Sequence, residues 1–153
     1  MCRWDGREYM NIQTILATKG AHVITIRPEQ AIREALVLFI RHNIGALVVL
    51  DDAGQLIGLL AERDIIRAAP MNEAIFSQPV SAVMTREVIT AVPQDDLMSV
   101  ANTMTEIRIR HLPVVDQGRL VGIVSIGDVV KAQRDHYHGE VDTLQTQLLA
   151  GDI

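Results

Sequence analysis

The sequence contains one long internal repeat, which appears when Pro28 is aligned with Pro93. The matched segments are HVITIRP (22–28) over EVITAVP (87–93), and IGALVVLDDAGQLIGLLAERDIIRAA (44–69) over IRHLPVVDQGRLVGIVSIGDVVKAQ (109–133). Only one residue is deleted, at a turn, over the whole alignment. Two copies of one supersecondary unit are therefore the first constraint on the fold.

Each copy predicts the element order β-α-β-β-α. A short β-branched run ends at a proline, two apolar strands follow a helix and are joined by a glycine-containing turn, and a second helix closes the unit. Apolar residues fall at helical spacing at Ile32, Ala35, Leu36 and Phe39, and again at Leu97, Val100, Ala101, Met104 and Ile107. Since a unit of about 60 residues cannot cover both faces of its own sheet, we predict an α/β fold of two pseudo-symmetric repeats packed through their sheets.

The repeat also sets the predicted domain boundaries. We place the first repeat at 10–69, a proline-bounded linker at 70–79, the second repeat at 80–135 and a C-terminal helical extension at 136–153. The extension carries an apolar stripe at helical spacing, made of Val141, Leu144, Leu148 and Leu149. Such a stripe predicts packing on the protein's own core or on a sister subunit.

Composition excludes several classes of partner. The formal net charge of the 153 residues is −5 and aromatic residues make up 3%, which disfavours a nucleic-acid platform. No uninterrupted apolar run approaches the length of a membrane span or a signal peptide. The single cysteine, Cys2, can form neither an internal disulfide nor a zinc cluster, and it fits a reducing compartment. We therefore expect a soluble cytoplasmic protein.

The phrases GLLAERD (58–64) and GIVSIGD (122–128) lie at equivalent strand-to-helix corners of the two copies. Ser125 and Asp128 fit a helix-capping pattern, which is worth about 1 kcal/mol. A hydroxyl and a carboxylate at such a corner also suit a ribose, as an acidic residue does in dinucleotide-binding folds. Nearby arginines that could hold a phosphate are Arg63, Arg108 and Arg110. The heptapeptide leaves both interpretations open.

The sequence shows no set of catalytic residues and no metal site. No nucleophile is paired with a base, and no paired carboxylates share a predicted active wall. His136 and His138 are two residues apart on a predicted helix, so they do not share a face. An enzyme such as a nucleotide hydrolase is therefore an alternative without support in these residues.

The chain resembles a tandem pair of CBS (cystathionine β-synthase) domains, also called a Bateman module. The resemblance rests on the repeat and on the phrases HLPVVDQGRLVGIVSIGDVV and GALVVLDDAGQLIGLLAERDII. The resemblance covers residues 10 to 135. It implies a non-catalytic regulatory module that binds adenosine ligands in clefts between its two copies. It also implies a flat homodimer and an unidentified regulated protein. The arginines favour AMP, ADP, ATP or NAD over S-adenosylmethionine.

The resemblance assigns residues to two unequal clefts. In the first, Asp128 would bind the ribose diol and Ser125 would lie beside it; the other residues are Arg108, Arg110, His111, Leu112, Pro113 and Val88. The second comprises Asp64, Arg63, Ala61, Gly45, Ala46 and Val23. Ala61 replaces the expected hydroxyl, so this cleft is expected to bind more weakly, to select another ligand or to be empty. A purely structural dimerisation module with empty clefts is the alternative function.

Overall fold

A computed structural model describes residues 10–151 in full and only the backbone of residues 3–4 and 7–8 before them. The predictions for Cys2 and for the last two residues of the C-terminal extension lie outside this part of the chain. The helices are α1 (Ile12–Lys19), α2 (Ile32–His42), α3 (Glu62–Ala68), α4 (Leu97–Glu106) and α5 (Ile126–Ala150). The strands are β1 (Arg3–Trp4), β2 (Arg7–Glu8), β3 (Thr25–Ile26), β4 (Ala46–Leu50), β5 (Leu56–Ala61), β6 (His111–Asp116) and β7 (Arg119–Ser125).

The strands of the described residues form three small sheets. β1 and β2 pair antiparallel, β6 pairs with β7, and the third sheet has the order β3-β4-β5. Within it β3 runs parallel to β4, and β4 runs antiparallel to β5 with Ala46 opposite Ala61. The predicted mixed α/β class is confirmed. The 3₁₀ turn Ala69–Met71 overlaps the start of the predicted linker 70–79, and the 3₁₀ turn Ile75–Ser77 lies within it.

The two copies keep the same backbone register. Ile26 pairs in parallel with Val49, and Ala91 pairs in parallel with Val114, which are the positions that the sequence alignment matches. Asn43 and Arg108, also 65 residues apart, both have left-handed backbone conformations, with φ of 51° and 56°. The repeat is therefore a repeat of structure as well as of sequence.

One predicted strand is shorter than expected. The run VITA (88–91) has a bridge only at Ala91, whereas the first copy pairs both Thr25 and Ile26 with β4. Pro113 occupies the position that Val48 has in the first copy, and a proline has no N–H to donate to a ladder. The parallel ladder of the second copy is accordingly limited to the bonds around Ala91.

Helical periodicity identified the buried faces correctly at most positions. The fully or nearly buried helix residues are Ile32, Ala35 and Phe39 in α2, and Leu97, Val100 and Met104 in α4. Ile107, which follows the last residue of α4, is 45% exposed. The helix α1 was not predicted; it begins after Asn11, whose side chain accepts a hydrogen bond from the amide of Thr14.

The residues sort into two compact units, each of which draws on both copies of the repeat. One unit combines the chain up to Gly20, Pro93–His111 and the chain from Val124, and it contains α1, α4 and α5. The other combines Ala21–Val92 with Leu112–Ile123 and contains the β3-β4-β5 sheet, α2 and α3. Its core includes Ile26, Leu47, Val49, Leu60 and Val80, all at most 2% exposed.

Candidate functional site

Ser125 and Asp128 form a reciprocal capping box at the start of α5. The hydroxyl of Ser125 accepts a hydrogen bond from the amide of Asp128 at 3.1 Å, and the amide of Ser125 donates to Oδ2 of Asp128 at 2.9 Å. Two backbone amides that a helix start leaves without intrahelical partners are thereby satisfied. The structural interpretation of GIVSIGD is confirmed, and both polar side chains are half-buried at the corner.

Asp128 also forms an ion pair. The Nζ of Lys19, the last residue of α1, lies 2.6 Å from Oδ2 of Asp128. Burial alone would raise the pKa of Asp128, but the hydrogen bonds from Lys19 and from the Ser125 amide outweigh it and hold the pKa below the ordinary value of 3.8. Asp128 is therefore a carboxylate at neutral pH, which is the form that accepts hydrogen bonds from a diol.

A cavity of about 360 Å³ opens beside this ion pair. Its lining consists of Met10, Thr14, Ile15, Thr18 and Lys19 from the α1 side and Asp128, Lys131, Ala132 and Asp135 from α5. The volume lies within the range of small-molecule sites. The lining thus combines apolar residues, two threonine hydroxyls and charges of both signs.

The other residues predicted for this site lie in several places. The carbonyl of Arg110 accepts a hydrogen bond from the amide of Ile126 at 2.8 Å, so its backbone adjoins the corner while its side chain is exposed. Arg108 is also exposed, in the left-handed turn after α4. His111 begins β6 and is half-buried. Leu112, Pro113 and Val88 belong to the other compact unit; the first two are buried in β6 and Val88 is half-buried.

The equivalent corner of the first copy has the same backbone and less polar chemistry. The amide of Ala61 donates to Oδ2 of Asp64 at 2.8 Å, and the amide of Glu62 donates to the carbonyl of Gly45 at 3.1 Å. Ala61 has φ and ψ of −107° and 157°, against −97° and 162° for Ser125. Without a hydroxyl it completes only half of the capping box. The replacement of serine by Ala61 therefore changes the chemistry of this corner without changing its backbone conformation.

The remaining residues predicted for the second site are placed around this corner. Ala46 lies opposite Ala61 in the β4–β5 ladder. Arg63 is exposed in the first turn of α3, and Val23 is half-buried just before β3. The structure therefore brings Ala61, Asp64, Gly45 and Ala46 together through backbone pairing.

Comparison with known proteins identifies the family. The model of the CBS domain matches residues 15–70 and 80–135. The chain belongs to the CBS-domain family. It is 37% identical over 122 residues to the CBS domain-containing protein YhcV of Bacillus subtilis, spanning 80% of this chain and 86% of that protein. It is 40% identical over 110 residues to the uncharacterized protein MJ1225 of Methanocaldococcus jannaschii, spanning 72% of this chain but only 39% of that longer protein.

Solved CBS structures share the fold. The CBS-domain protein ATU1752 of Agrobacterium tumefaciens has a TM-score of 0.80 and 37% identity, over 87% of this chain and 99% of that one. The CBS domain pair of protein MJ0100, solved in complex with 5′-methylthioadenosine and S-adenosyl-L-methionine, has a TM-score of 0.75 and 32% identity. That alignment covers 84% of this chain and 98% of the other. The neighbour shows that a CBS pair of this fold binds adenosine compounds.

Sequence reasoning missed the α1 side of the cavity, including Thr14, Thr18 and Lys19. The 65-residue offset of the CBS repeat, continued upstream from HVITIRP, places Lys19 over Met84 and so marks a position where the copies differ in charge. What the sequence did not reveal is that Lys19 contacts Asp128, because the two residues are 109 positions apart. Within residues 10–151, no cluster of His, Cys, Asp and Glu has the geometry of a metal site, and no described helix is long and apolar enough to cross a bilayer.

Proposed function

We propose that this CBS pair is a non-catalytic regulatory module that binds an adenosine nucleotide, AMP, ADP, ATP or NAD, at the Ser125–Asp128 corner. In this proposal the carboxylate of Asp128 accepts hydrogen bonds from the ribose hydroxyls, and Ser125 lies beside the ribose. The single observation that carries it is the ionised Asp128 at the wall of a cavity of about 360 Å³. The adenosine compounds bound by the MJ0100 pair support the ligand class.

The phosphate preference rests on the local cations. The Lys19 and Lys131 side chains line the cavity, and the exposed Arg110 adjoins the corner through its carbonyl. A guanidinium or ammonium group binds a phosphate by charge-assisted hydrogen bonds. We therefore propose that a phosphorylated adenosine binds better than S-adenosylmethionine, whose sulfonium adds a positive charge.

The matched variants Asp128→Ala and Asp64→Ala test the site. Each carboxylate accepts a hydrogen bond from its own N-cap amide, Ser125 or Ala61, so both variants lose a comparable structural contact. Thermal melting of both is measured with AMP, ADP, ATP, NAD, S-adenosylmethionine and 5′-methylthioadenosine. We expect the ligand-induced rise in Tm to fall much more in Asp128→Ala than in Asp64→Ala. Equal losses would overturn the ranking of the two corners.

A structural dimerisation module is the second candidate, because one exposed face of α5 suits a second copy of the chain. Tyr137, Val141, Leu144 and Leu148 are 49% to 61% exposed and follow one another at intervals of four, three and four residues. This alternation of four and three is the spacing of a coiled-coil seam, which is self-complementary. Analytical ultracentrifugation of Leu144→Lys tests it: the homodimer weakens if α5 forms the interface, while Thr143→Lys, on a neighbouring face, serves as the control.

A further inference from the structure

The ion pair between Lys19 and Asp128 occupies the atom on which the proposed ribose contact depends. Oδ2 of Asp128 accepts one hydrogen bond from the Ser125 amide at 2.9 Å and another from Nζ of Lys19 at 2.6 Å. A carboxylate oxygen offers about two lone-pair directions, so these two donors saturate Oδ2. A ribose diol that binds both carboxylate oxygens must take the place of one of these donors.

Lys19 is the donor that can leave. The Ser125 amide is fixed by the capping box at the start of α5, whereas Lys19 has a four-carbon side chain that is 36% exposed at the end of α1. A long side chain at a partly exposed site exchanges partners at small cost, since such ion pairs contribute only modestly to stability. The released ammonium remains at the wall of the same cavity.

We propose that Lys19 is an internal competitor for Asp128 that a ligand displaces, and that the displaced ammonium then pairs with an anionic group of the ligand. The inference rests on the proposed function and deepens it, because it makes Lys19 the residue that sets charge selectivity. An uncharged nucleoside breaks the ion pair with Asp128 and supplies no anionic group in its place. A nucleotide breaks the same pair and supplies a phosphate in exchange.

The competitor is specific to one corner of the CBS pair. The 65-residue offset that aligns HVITIRP with EVITAVP places Met84 at the position equivalent to Lys19. Met84 is 7% exposed and packs in the core of its unit beside Gly58, so it carries no charge to the Asp64 corner. Discrimination through an internal competitor is therefore expected at the Asp128 corner and not at the Asp64 corner.

The variant Lys19→Met tests the inference by isothermal titration with adenosine and with AMP. Removing the competitor is expected to tighten adenosine binding about threefold and to weaken AMP binding about threefold, in line with the modest strength of partly exposed ion pairs. The ratio of the two dissociation constants then shifts about tenfold. Lys19→Arg keeps the charge and is expected to stay within about twofold of the wild-type ratio. Arg119→Met removes an exposed positive charge from the start of β7 and controls for general electrostatics.

The outcomes separate this inference from the proposed function. If wild type binds AMP and Lys19→Met changes the affinities for adenosine and AMP by the same factor, the competitor role is wrong and the nucleotide site stands. If neither protein binds any adenosine compound, the proposed function falls and the inference falls with it. An NMR titration of Asp128 gives a ligand-free check, because loss of Lys19 raises its pKa only if the two side chains are paired in solution.

Discussion

The amide of Asp128 donates a hydrogen bond to the hydroxyl of Ser125 at 3.1 Å, and the corresponding residue of the other repeat, Ala61, has no hydroxyl to accept one. Backbone angles at the two N-cap positions differ by about 10° or less. The two corners therefore share a backbone conformation, and at the N-cap position itself they differ by one hydroxyl.

Exchange of the two N-cap residues should change stability in opposite directions. Ser125→Ala is expected to lower the free energy of unfolding by about 1 kcal/mol, because the amide of Asp128 loses its acceptor. Ala61→Ser is expected to raise it by about 0.5–1 kcal/mol, since the new hydroxyl can accept from the amide of Asp64. Urea unfolding followed by circular dichroism measures both. Unchanged midpoints in both variants would show that the caps contribute nothing.

The lowered pKa of Asp128 predicts a pH dependence of stability. Because the folded-state pKa lies below the ordinary 3.8, the ionised carboxylate stabilises the fold above that pH, and the contribution is lost as the pH falls through the folded value. The free energy of unfolding of the wild type should therefore fall more steeply than that of Asp128→Asn as the pH falls from neutral through 3.8 and below it. Parallel curves for the two proteins would contradict the pairing of Asp128 with Lys19 and Ser125.

Substitution of Arg108 by asparagine should raise the stability of the fold and weaken nucleotide binding. Its φ of 56° is unfavourable for a residue with a long side chain, whereas asparagine tolerates it, as Asn43 does in the first repeat. Arg108→Asn is expected to raise the free energy of unfolding by about 0.5–1 kcal/mol. If Arg108 contacts the phosphate, the same variant weakens AMP binding by about threefold to tenfold. Asn43→Ala is the control for the backbone effect and should destabilise. Loss of stability in Arg108→Asn would contradict the conformational argument.

Gly58 is held close to Met84 and Thr85, near the start of the second repeat. A Cβ at this position would lie 2.5 Å from Sδ of Met84 and 3.2 Å from the carbonyl oxygen of Thr85. The backbone of Thr85 is fixed by two hydrogen bonds to Leu59, of 2.9 and 3.0 Å, so it cannot move aside easily. Gly58→Ala is therefore expected to destabilise the fold by about 1–3 kcal/mol. Gly139→Ala, in α5 with open space around it, should instead stabilise by about 0.5–1 kcal/mol. Equal effects on Tm would exclude the steric explanation.

The repeat made most of the fold predictable, because residues matched by the sequence alignment, such as Val49 and Val114, occupy the same register. The capping role of Ser125 and Asp128 was equally readable, since it depends on four consecutive residues. Contacts between segments that are distant in the sequence could not be predicted. Lys19 lies 109 residues from Asp128, and nothing in the local pattern of either residue indicates the other. The limited pairing of the predicted strand 88–91, which has a bridge only at Ala91, was also missed, although Pro113 could have indicated it.

Isothermal titration of AMP into the full chain and into Asp128→Ala tests most directly whether the Ser125–Asp128 corner binds an adenosine nucleotide. Asp64→Ala is the matched control, because its carboxylate caps the equivalent corner. We predict saturable binding to wild type and to Asp64→Ala, and at least about tenfold weaker binding to Asp128→Ala, where the ribose loses a charged acceptor. Saturable binding of the same affinity to all three proteins, or no binding to any of them, would contradict the assignment of this corner.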